Sequence, residues 1–296
     1  MSIIADIKTA FSRRDNALNQ LLLINVLVFV VLVVMEAILF LTGASSVFAV
    51  LLRQLEISSN LPSLLRHPWT LLTYAFTHVK FFHILFNLLN LYWFGMLLRE
   101  YLGDRRLVGL YILGALAGAV LFLLSYNLLP ALQPKLGTPM IGASAAVTAI
   151  IVGAATLLPD YTFSIILIGP VRIKYIAAVV VLISIAGISG QNSGGQIAHI
   201  GGAIMGFVFV RQLQAGRDLG RPILAVGDWV SGLLQGRPRL RVSHRNAPAA
   251  APGKNQAPLA QPKQNEIDLI LDKISRSGYE SLSKDEKQKL FKASQQ

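Results

Sequence analysis

The feature that most limits what this chain can fold into is a set of six long apolar segments within its first 213 residues. They cover residues 21–41, 81–98, 106–129, 139–158, 171–189 and 196–213. A helix needs about 20 predominantly apolar residues to cross the hydrocarbon of a bilayer, and each segment comes close to that length or exceeds it. The sequence therefore predicts an all-α integral membrane protein built as a bundle of six transmembrane helices.

The composition and the charge point to a lipid bilayer rather than to nucleic acid. Apolar residues make up 53% of the chain, charged residues only 14%, and the mean hydropathy is +0.55, which is unusual for a soluble protein. The net charge of +12 comes mostly from Lys and Arg in short loops and in the tail, where anionic headgroups are the expected counter-charge. The sequence has no Cys, which excludes disulfides, thiolate metal sites and a cysteine nucleophile.

The charged loops predict the orientation. Arg99, Arg105 and Arg106 lie between the second and third apolar segments, and Arg172 and Lys174 lie between the fourth and fifth. The loop between the fifth and sixth segments has no charge. Because positively charged loops stay in the cytoplasm, both termini are predicted to be cytoplasmic. We expect a multi-pass protein of the plasma membrane, which in a bacterium is the inner membrane.

Regions of different character flank the predicted membrane core, residues 19–213. Residues 1–18 have apolar side chains near helical spacing and predict an amphipathic helix lying on the membrane. Residues 214–264 are rich in Pro, Ala and basic side chains and predict a disordered tether. Residues 265–296 predict a small cytoplasmic helical hairpin, with Ser283 to Glu286 as a capping box at the start of its second helix. The sequence does not identify the partner of this hairpin.

Four polar side chains in the apolar segments are predicted to lie at one depth. With both termini inside, the second, fourth and sixth segments all start at the outer face. His83, Asn87, Ser144 and His199 then lie within roughly 10 Å of the point where their helices begin. His83 and Asn87 also share one helix face, because they are four residues apart. The agreement in depth indicates a single site.

Small residues predict that the fourth and sixth segments touch at this site. A stripe at four-residue spacing runs along the sixth segment and consists of Gly194, Ala198, Gly202 and Gly206. In the fourth segment, Gly142 and Ala145 stand close to Ser144 with equally little bulk. Small side chains let the backbones of membrane helices approach each other. Ser144 and His199 are therefore predicted to be neighbours.

A serine beside a histidine in this setting predicts nucleophilic catalysis. The imidazole of His199 would take the proton of the Ser144 hydroxyl and so activate it as a nucleophile. The start of a helix offers free backbone N–H groups to an oxyanion, and Asn87 and His83 add further donors. Acidic residues are missing from the relevant segments, so we predict a two-residue dyad in which packing or a neutral hydrogen bond orients His199. No cofactor and no metal is expected, since the sequence has no zinc motif.

These residues resemble the rhomboid intramembrane serine proteases over about residues 60–210. The likeness rests on motifs in a fixed order: His83-x-x-x-Asn87, Gly142-x-Ser144, and Gly194-x-x-x-Ala198-His199-x-x-Gly202. The resemblance implies a Ser144/His199 dyad that cuts peptide bonds in or beside the membrane helix of a protein substrate. It also implies an oxyanion hole of His83, Asn87 and the Ser144 N–H, with a mobile fifth span controlling access. Ala145 departs from the family, which usually has Gly directly after the nucleophile.

Two other functions are compatible with the same residues. One is a rhomboid-like protein that binds membrane clients without cutting them, which a cleavage assay distinguishes from a protease. The other is a redox protein that holds haem between His83 and His199 as axial ligands on facing helices. An absorbance scan of the purified protein decides the second, because bound haem gives a Soret band.

Overall fold

A computed structural model of the 296 residues describes residues 16–165, 169–235 and 264–293. The chain forms two compact units, one within residues 1–238 and the other within residues 239–296. The larger unit contains all six apolar segments. The predicted amphipathic helix at residues 1–18 lies almost wholly outside the described residues and stays a prediction.

Helices dominate the larger unit, with short two-stranded pairings between them. Its α-helices are α1 (Ala17–Leu41), α2 (Ser45–Arg53), α3 (Leu61–Arg66), α4 (Thr70–Thr73), α5 (Phe81–Leu102), α6 (Asp104–Leu128), α7 (Ser144–Leu157), α8 (Ile173–Ala186), α9 (Ser193–Gln214) and α10 (Arg221–Gln235). Its strands are β1 (Ile57–Ser58), β2 (Pro139–Met140), β3 (Thr162–Ile165) and β4 (Gly169–Arg172). Short 3-10 turns occur at Tyr74–Phe76 and Gln133–Lys135.

Four of these helices, α1, α5, α6 and α9, are long and apolar enough to cross a membrane. The apolar helices α7 and α8 have 14 residues each. At 1.5 Å per residue each measures about 21 Å, less than the roughly 30 Å of a hydrocarbon core. The chain is thus a helical integral membrane protein, and the predicted count of six spans remains a prediction.

Helix α7 lies at the centre of the bundle and starts later than predicted. The apolar segment begins at residue 139, but the helix begins at Ser144. The preceding residues are extended because Pro139 and Met140 pair with Ser58 and Ile57 in an antiparallel bridge. Gly142 then adopts a φ of +120°, which a helix does not accommodate.

Close backbone contact joins α9 to α7. A Cβ atom added at Gly202 would overlap the carbonyl oxygen of Ala145, and one added at Gly206 would overlap that of Ala149. These two members of the predicted stripe therefore contact the fourth apolar segment, as expected from their size. Glycine at these positions sets the distance between the two helices.

The other half of the stripe faces α6. A Cβ atom at Gly194 would lie 2.7 Å from the ring of Phe122, and one at Gly118 would lie 2.9 Å from the carbonyl oxygen of Ala198. Gly194 and Ala198 thus contact the third apolar segment. Helix α9 lies in the groove between α6 and α7.

The segment between α1 and α5 is fastened to the bundle near the start of α7. Its strand β1 pairs with β2, which leads into α7. The indole Nε1 of Trp69 donates to the carbonyl oxygen of Gln54 at 2.8 Å, and the Thr73 hydroxyl donates to that of Leu55 at 2.9 Å. This segment therefore fixes the position of the residues that lead into Ser144.

The prediction of a tether from residue 214 is wrong for residues 221–235, which form α10. Pro222 stands in the first turn, where a helix tolerates proline, and the apolar residues after it supply a helix face. Ion pairs fix this region to the start of α6: Arg106 bonds Asp218 at 3.1 Å, and Arg105 bonds Asp228 at 2.5 Å. Residues 236–263 lie outside the described part.

The smaller unit consists of α11 (Gln264–Ser277), a 3-10 turn at Tyr279–Ser281 and α12 (Lys284–Ala293). The predicted capping box is confirmed: the Ser283 N–H donates to Glu286 Oε2 at 2.8 Å, and the Glu286 N–H donates to the Ser283 hydroxyl at 3.3 Å. The bond from the Ser283 N–H, with a second from Lys273, lowers the pKa of Glu286 to about 2.

Candidate functional site

The four predicted polar residues line one cavity of about 850 Å³ between α5, α7, α8 and α9. His83 and Asn87 come from α5, Ser144 from α7 and His199 from α9. The structure thus brings together side chains that are up to 116 positions apart in the sequence (199 − 83). The described lining contains no Asp or Glu.

Ser144 is the first residue of α7, and hydrogen bonds hold the two residues before it. The Gly142 N–H donates to the carbonyl oxygen of Tyr74 at 2.8 Å, and the Ala143 N–H donates to His78 Nε2 at 3.1 Å. The Tyr74 hydroxyl in turn donates to the Ala115 carbonyl oxygen at 2.6 Å. The position of Ser144 is therefore set by the turn before α5 and, through Tyr74, by α6.

Gly142 makes room for the imidazole of His83. A Cβ atom at Gly142 would lie 2.5 Å from His83 Cε1 and 2.7 Å from Nε2. The ring of His83 also contacts that of His78 edge-on, with 5.0 Å between the ring centroids. Any side chain at position 142 would displace this ring, and the positive φ favours glycine independently.

Asn87 is buried in the wall of the cavity, and one of its two amide hydrogens is not used by its bond to the backbone. Its Nδ2 donates to the carbonyl oxygen of His83 at 2.8 Å. An amide nitrogen has two hydrogens, so the second can serve a group bound in the cavity. The start of α7 adds the Ser144 N–H, since the first N–H groups of a helix have no partner within it.

His199 lies in the second turn of α9 and is bonded to a residue that the sequence did not single out. Its Nδ1 is 3.1 Å from the hydroxyl of Ser184 in α8, and that hydroxyl is 3.0 Å from the carbonyl oxygen of Val180. Ser184 also lines the cavity. A single serine in an apolar helix gives little signal, because most such hydroxyls only bond their own backbone.

Gly142 lies against the ring of His83 in the cavity wall, whereas the other predicted supporting residues pack between helices and do not line the cavity. Gly202 sits where α9 meets Ala145 of α7, and Ala198 sits where α9 meets α6. The side chain of Ala145 points toward Gly118 of α6, where an added Cβ would lie 2.5 Å from it. The methyl group that replaces the glycine usual in the family therefore occupies space left by Gly118, and it does not narrow the cavity.

His78 is a further residue whose role becomes visible only in the structure. Its side chain is completely buried, and its Nε2 accepts the Ala143 N–H. An imidazole nitrogen that accepts is unprotonated, so the ring is neutral and carries its proton on Nδ1. Within the residues that the structure describes, no cluster of three or more His, Cys, Asp or Glu could hold a metal ion.

Comparison with known proteins agrees with this helical membrane architecture. A family model described as Rhomboid domain matches residues 65–214, which is half of the chain and includes all four polar residues of the cavity. The chain belongs to the rhomboid family. Residues 261–296 match a second model, a family of unknown function called DUF6576.

Two curated relatives come from Arabidopsis thaliana. RHOMBOID-like protein 12, mitochondrial, is 32% identical over 158 residues, which cover 50% of this chain and 47% of the relative. Rhomboid-like protein 16, chloroplastic, is 29% identical over 160 residues, half of each protein. The chain spans about half the length of the curated relatives it matches.

Proposed function

We propose that this protein is an intramembrane serine endopeptidase that hydrolyses peptide bonds in or next to transmembrane segments of other membrane proteins. One observation carries the proposal: Ser144 and His199 line the same cavity, together with two polar side chains able to serve an oxyanion. Membership of the rhomboid family supports it. The lipid bilayer and transmembrane protein substrates are the proposed partners.

In the proposed reaction, His199 Nε2 takes the proton of the Ser144 hydroxyl as Ser144 Oγ attacks the scissile carbonyl carbon. The Ser144 N–H, the free amide hydrogen of Asn87 and the imidazole of His83 stabilise the oxyanion. The protonated His199 then gives its proton to the departing amine, which leaves an acyl-enzyme on Ser144. A water molecule, deprotonated by His199, hydrolyses the ester and restores the serine.

The architecture in this proposal has six spans, with α7 and α8 as the fourth and fifth and the flanking non-helical residues completing the crossing. Both termini are cytoplasmic, in a plasma membrane, and the smaller unit forms a cytoplasmic helical hairpin. The start of α7 then lies just below the outer face, where water can reach Ser144. Substrates with weak helix formers near the cut are favoured, since a helix hides its peptide bonds in its own hydrogen bonds.

The test is cleavage of a single-span reporter protein by the purified chain in detergent or liposomes. The wild type should cut the reporter, and Ser144→Ala should reduce the rate by about 10³-fold or more, as loss of a serine nucleophile does elsewhere. His67→Ala is the control, because the His67 ring contacts the Ser63 carbonyl oxygen and the ring of Trp69 and does not line the cavity. Absence of cleavage by the wild type would favour the alternative, a rhomboid-like protein that binds clients without cutting them.

A further inference from the structure

Ser184 is the one described hydroxyl group that bonds the imidazole of His199. It belongs to α8, and its side chain is almost fully buried, with 2% of the residue exposed. Its Oγ lies 3.1 Å from His199 Nδ1 and 3.0 Å from the carbonyl oxygen of Val180. The hydroxyl thus lies between the Val180 carbonyl oxygen, which can only accept a hydrogen bond, and His199 Nδ1, which can either donate or accept one.

Counting protons shows which directions let both bonds form at the same time. A serine hydroxyl has one hydrogen and two lone pairs. The Val180 carbonyl has no hydrogen to give, so the bond between them uses the hydroxyl hydrogen. The lone pairs of Ser184 then face His199, and Nδ1 must carry the imidazole proton and donate it. In a neutral ring this leaves Nε2 unprotonated.

We propose that Ser184 is a positioning residue that holds His199 in the tautomer with its proton on Nδ1, so that Nε2 is free to act as the base. The inference rests on the proposed function, because it names the group that prepares His199 for that reaction. Ser184 stands where a serine protease with a triad has a carboxylate. The bond reaches His199 from a different helix, so it depends on where α8 sits.

A hydroxyl does part of what a carboxylate does in this position. It fixes the ring orientation and the tautomer, but it carries no charge to stabilise the imidazolium that forms during reaction. It also avoids placing an unpaired charge among the apolar side chains of α8, which would be costly. Ser184 thus supplies the neutral hydrogen bond that orients the histidine of a dyad in which no acidic residue is present.

The competing explanation is that Ser184 only bonds its own helix backbone, as serines in membrane helices commonly do. Thr156 offers a matched control, since its hydroxyl donates to the carbonyl oxygen of Val152 at 2.7 Å and does not line the cavity. Ser184→Ala removes the bond to His199, Ser184→Thr keeps a hydroxyl there, and Thr156→Ala removes a backbone bond of the same type elsewhere.

Two measurements test the proposal. In the cleavage assay, Ser184→Ala should lower kcat by about 10- to 100-fold, the range usual for loss of a group that orients a metal-binding histidine, and leave KM within about twofold. Ser184→Thr should restore most of kcat, and Thr156→Ala should leave it unchanged. Unchanged kcat in Ser184→Ala, or an equal loss in Thr156→Ala, would overturn the inference.

The second measurement is independent of activity. In the 15N spectrum of histidine-labelled protein at neutral pH, the His199 signals, assigned by their loss in His199→Gln, should show a protonated Nδ1 and a bare Nε2. Ser184→Ala should give a mixture of tautomers. A protonated Nε2 in the wild type would refute the role of Ser184 even in an active protease. If the spectrum shows a protonated Nδ1 but the protein cleaves no reporter, the hydrogen bond is established and the proposed function is wrong.

Discussion

At the scale of single residues, Gly142 and Ala145 flank Ser144 and are small for different reasons. Gly142 has a φ of +120° and lies under the ring of His83, so both its backbone and its missing side chain matter. Ala145 fills the space beside Gly118 on the far side of α7. Gly142 therefore shapes the cavity, whereas Ala145 shapes the helix packing behind the cavity.

Gly142→Ala is expected to impair both stability and cleavage. The left-handed backbone costs an alanine about 1–2 kcal/mol, and the methyl group displaces His83 from the cavity wall. Cleavage should slow by about 100-fold, since a misplacement of 1 Å in a catalytic group can cost that much. Thermal unfolding in detergent and the cleavage rate measure the two effects.

Gly137→Ala is the matched control for this change. Gly137 has a φ of +95°, and an added Cβ would meet nothing within 4 Å. It should lose a similar amount of stability but keep the wild-type cleavage rate. Equal cleavage rates in the two variants would show that the contact with His83 has no part in the reaction.

The sequence predicted the polar residues of the cavity but not the residues that hold them. Ser144, His199, His83 and Asn87 stood out because polar groups are rare in apolar segments and these four fell at one depth. Ser184 gave no such signal, because a lone hydroxyl in a membrane helix is ordinary. The role of His78 depends on a contact with Ala143 across 65 residues, which no local pattern reveals.

At the scale of helices, α7 packs between α6 and α9, and glycines at the contacts let the helix backbones approach closely. Gly202 and Gly206 of α9 face carbonyl oxygens of α7, and Gly118 of α6 faces its side chains. The distance between α7 and α9 decides whether Ser144 and His199 can meet. A change in this contact should therefore affect stability and chemistry together.

Gly202→Ala should push α9 away from α7, since its Cβ would overlap the Ala145 carbonyl oxygen. Overpacking of this kind costs about 1–3 kcal/mol, and the cleavage rate should fall with it. Gly227→Ala in α10 is the control, because its Cβ meets nothing within 4 Å and alanine favours a helix by up to about 1 kcal/mol. Thermal unfolding decides, and a Gly202→Ala protein as stable as the wild type would refute this account of the contact.

The lengths of the apolar segments predicted where the helices lie. The ends of the helices depend on contacts with distant residues, which the local sequence pattern does not reveal. Helix α6 follows its predicted segment within two residues at each end. Helix α7 starts later than predicted because β1 captures the strand before it. Helix α10 was missed because its residues were grouped with the Pro- and Ala-rich segment that follows, and its ion pair to α6, between Asp228 and Arg105, joins residues 123 positions apart.

At the scale of the whole molecule, the chain joins a rhomboid domain to a second compact unit. The cavity belongs entirely to the first of these units, and its walls come from the second, fourth, fifth and sixth apolar segments and the residues that flank them. The central claim is that Ser144 and His199 act as one chemical unit, although 55 positions separate them (199 − 144).

Labelling with a fluorophosphonate tests this claim most directly, because the reagent reacts with an activated serine without needing the natural substrate. Mass spectrometry should find the label on Ser144 in the wild type and in His67→Ala. In His199→Ala the labelling rate should fall by about 10³-fold or more, as expected for nucleophile and base acting as a unit. Labelling of Ser144 at the wild-type rate in His199→Ala, or no labelling of Ser144 at all, would contradict the account.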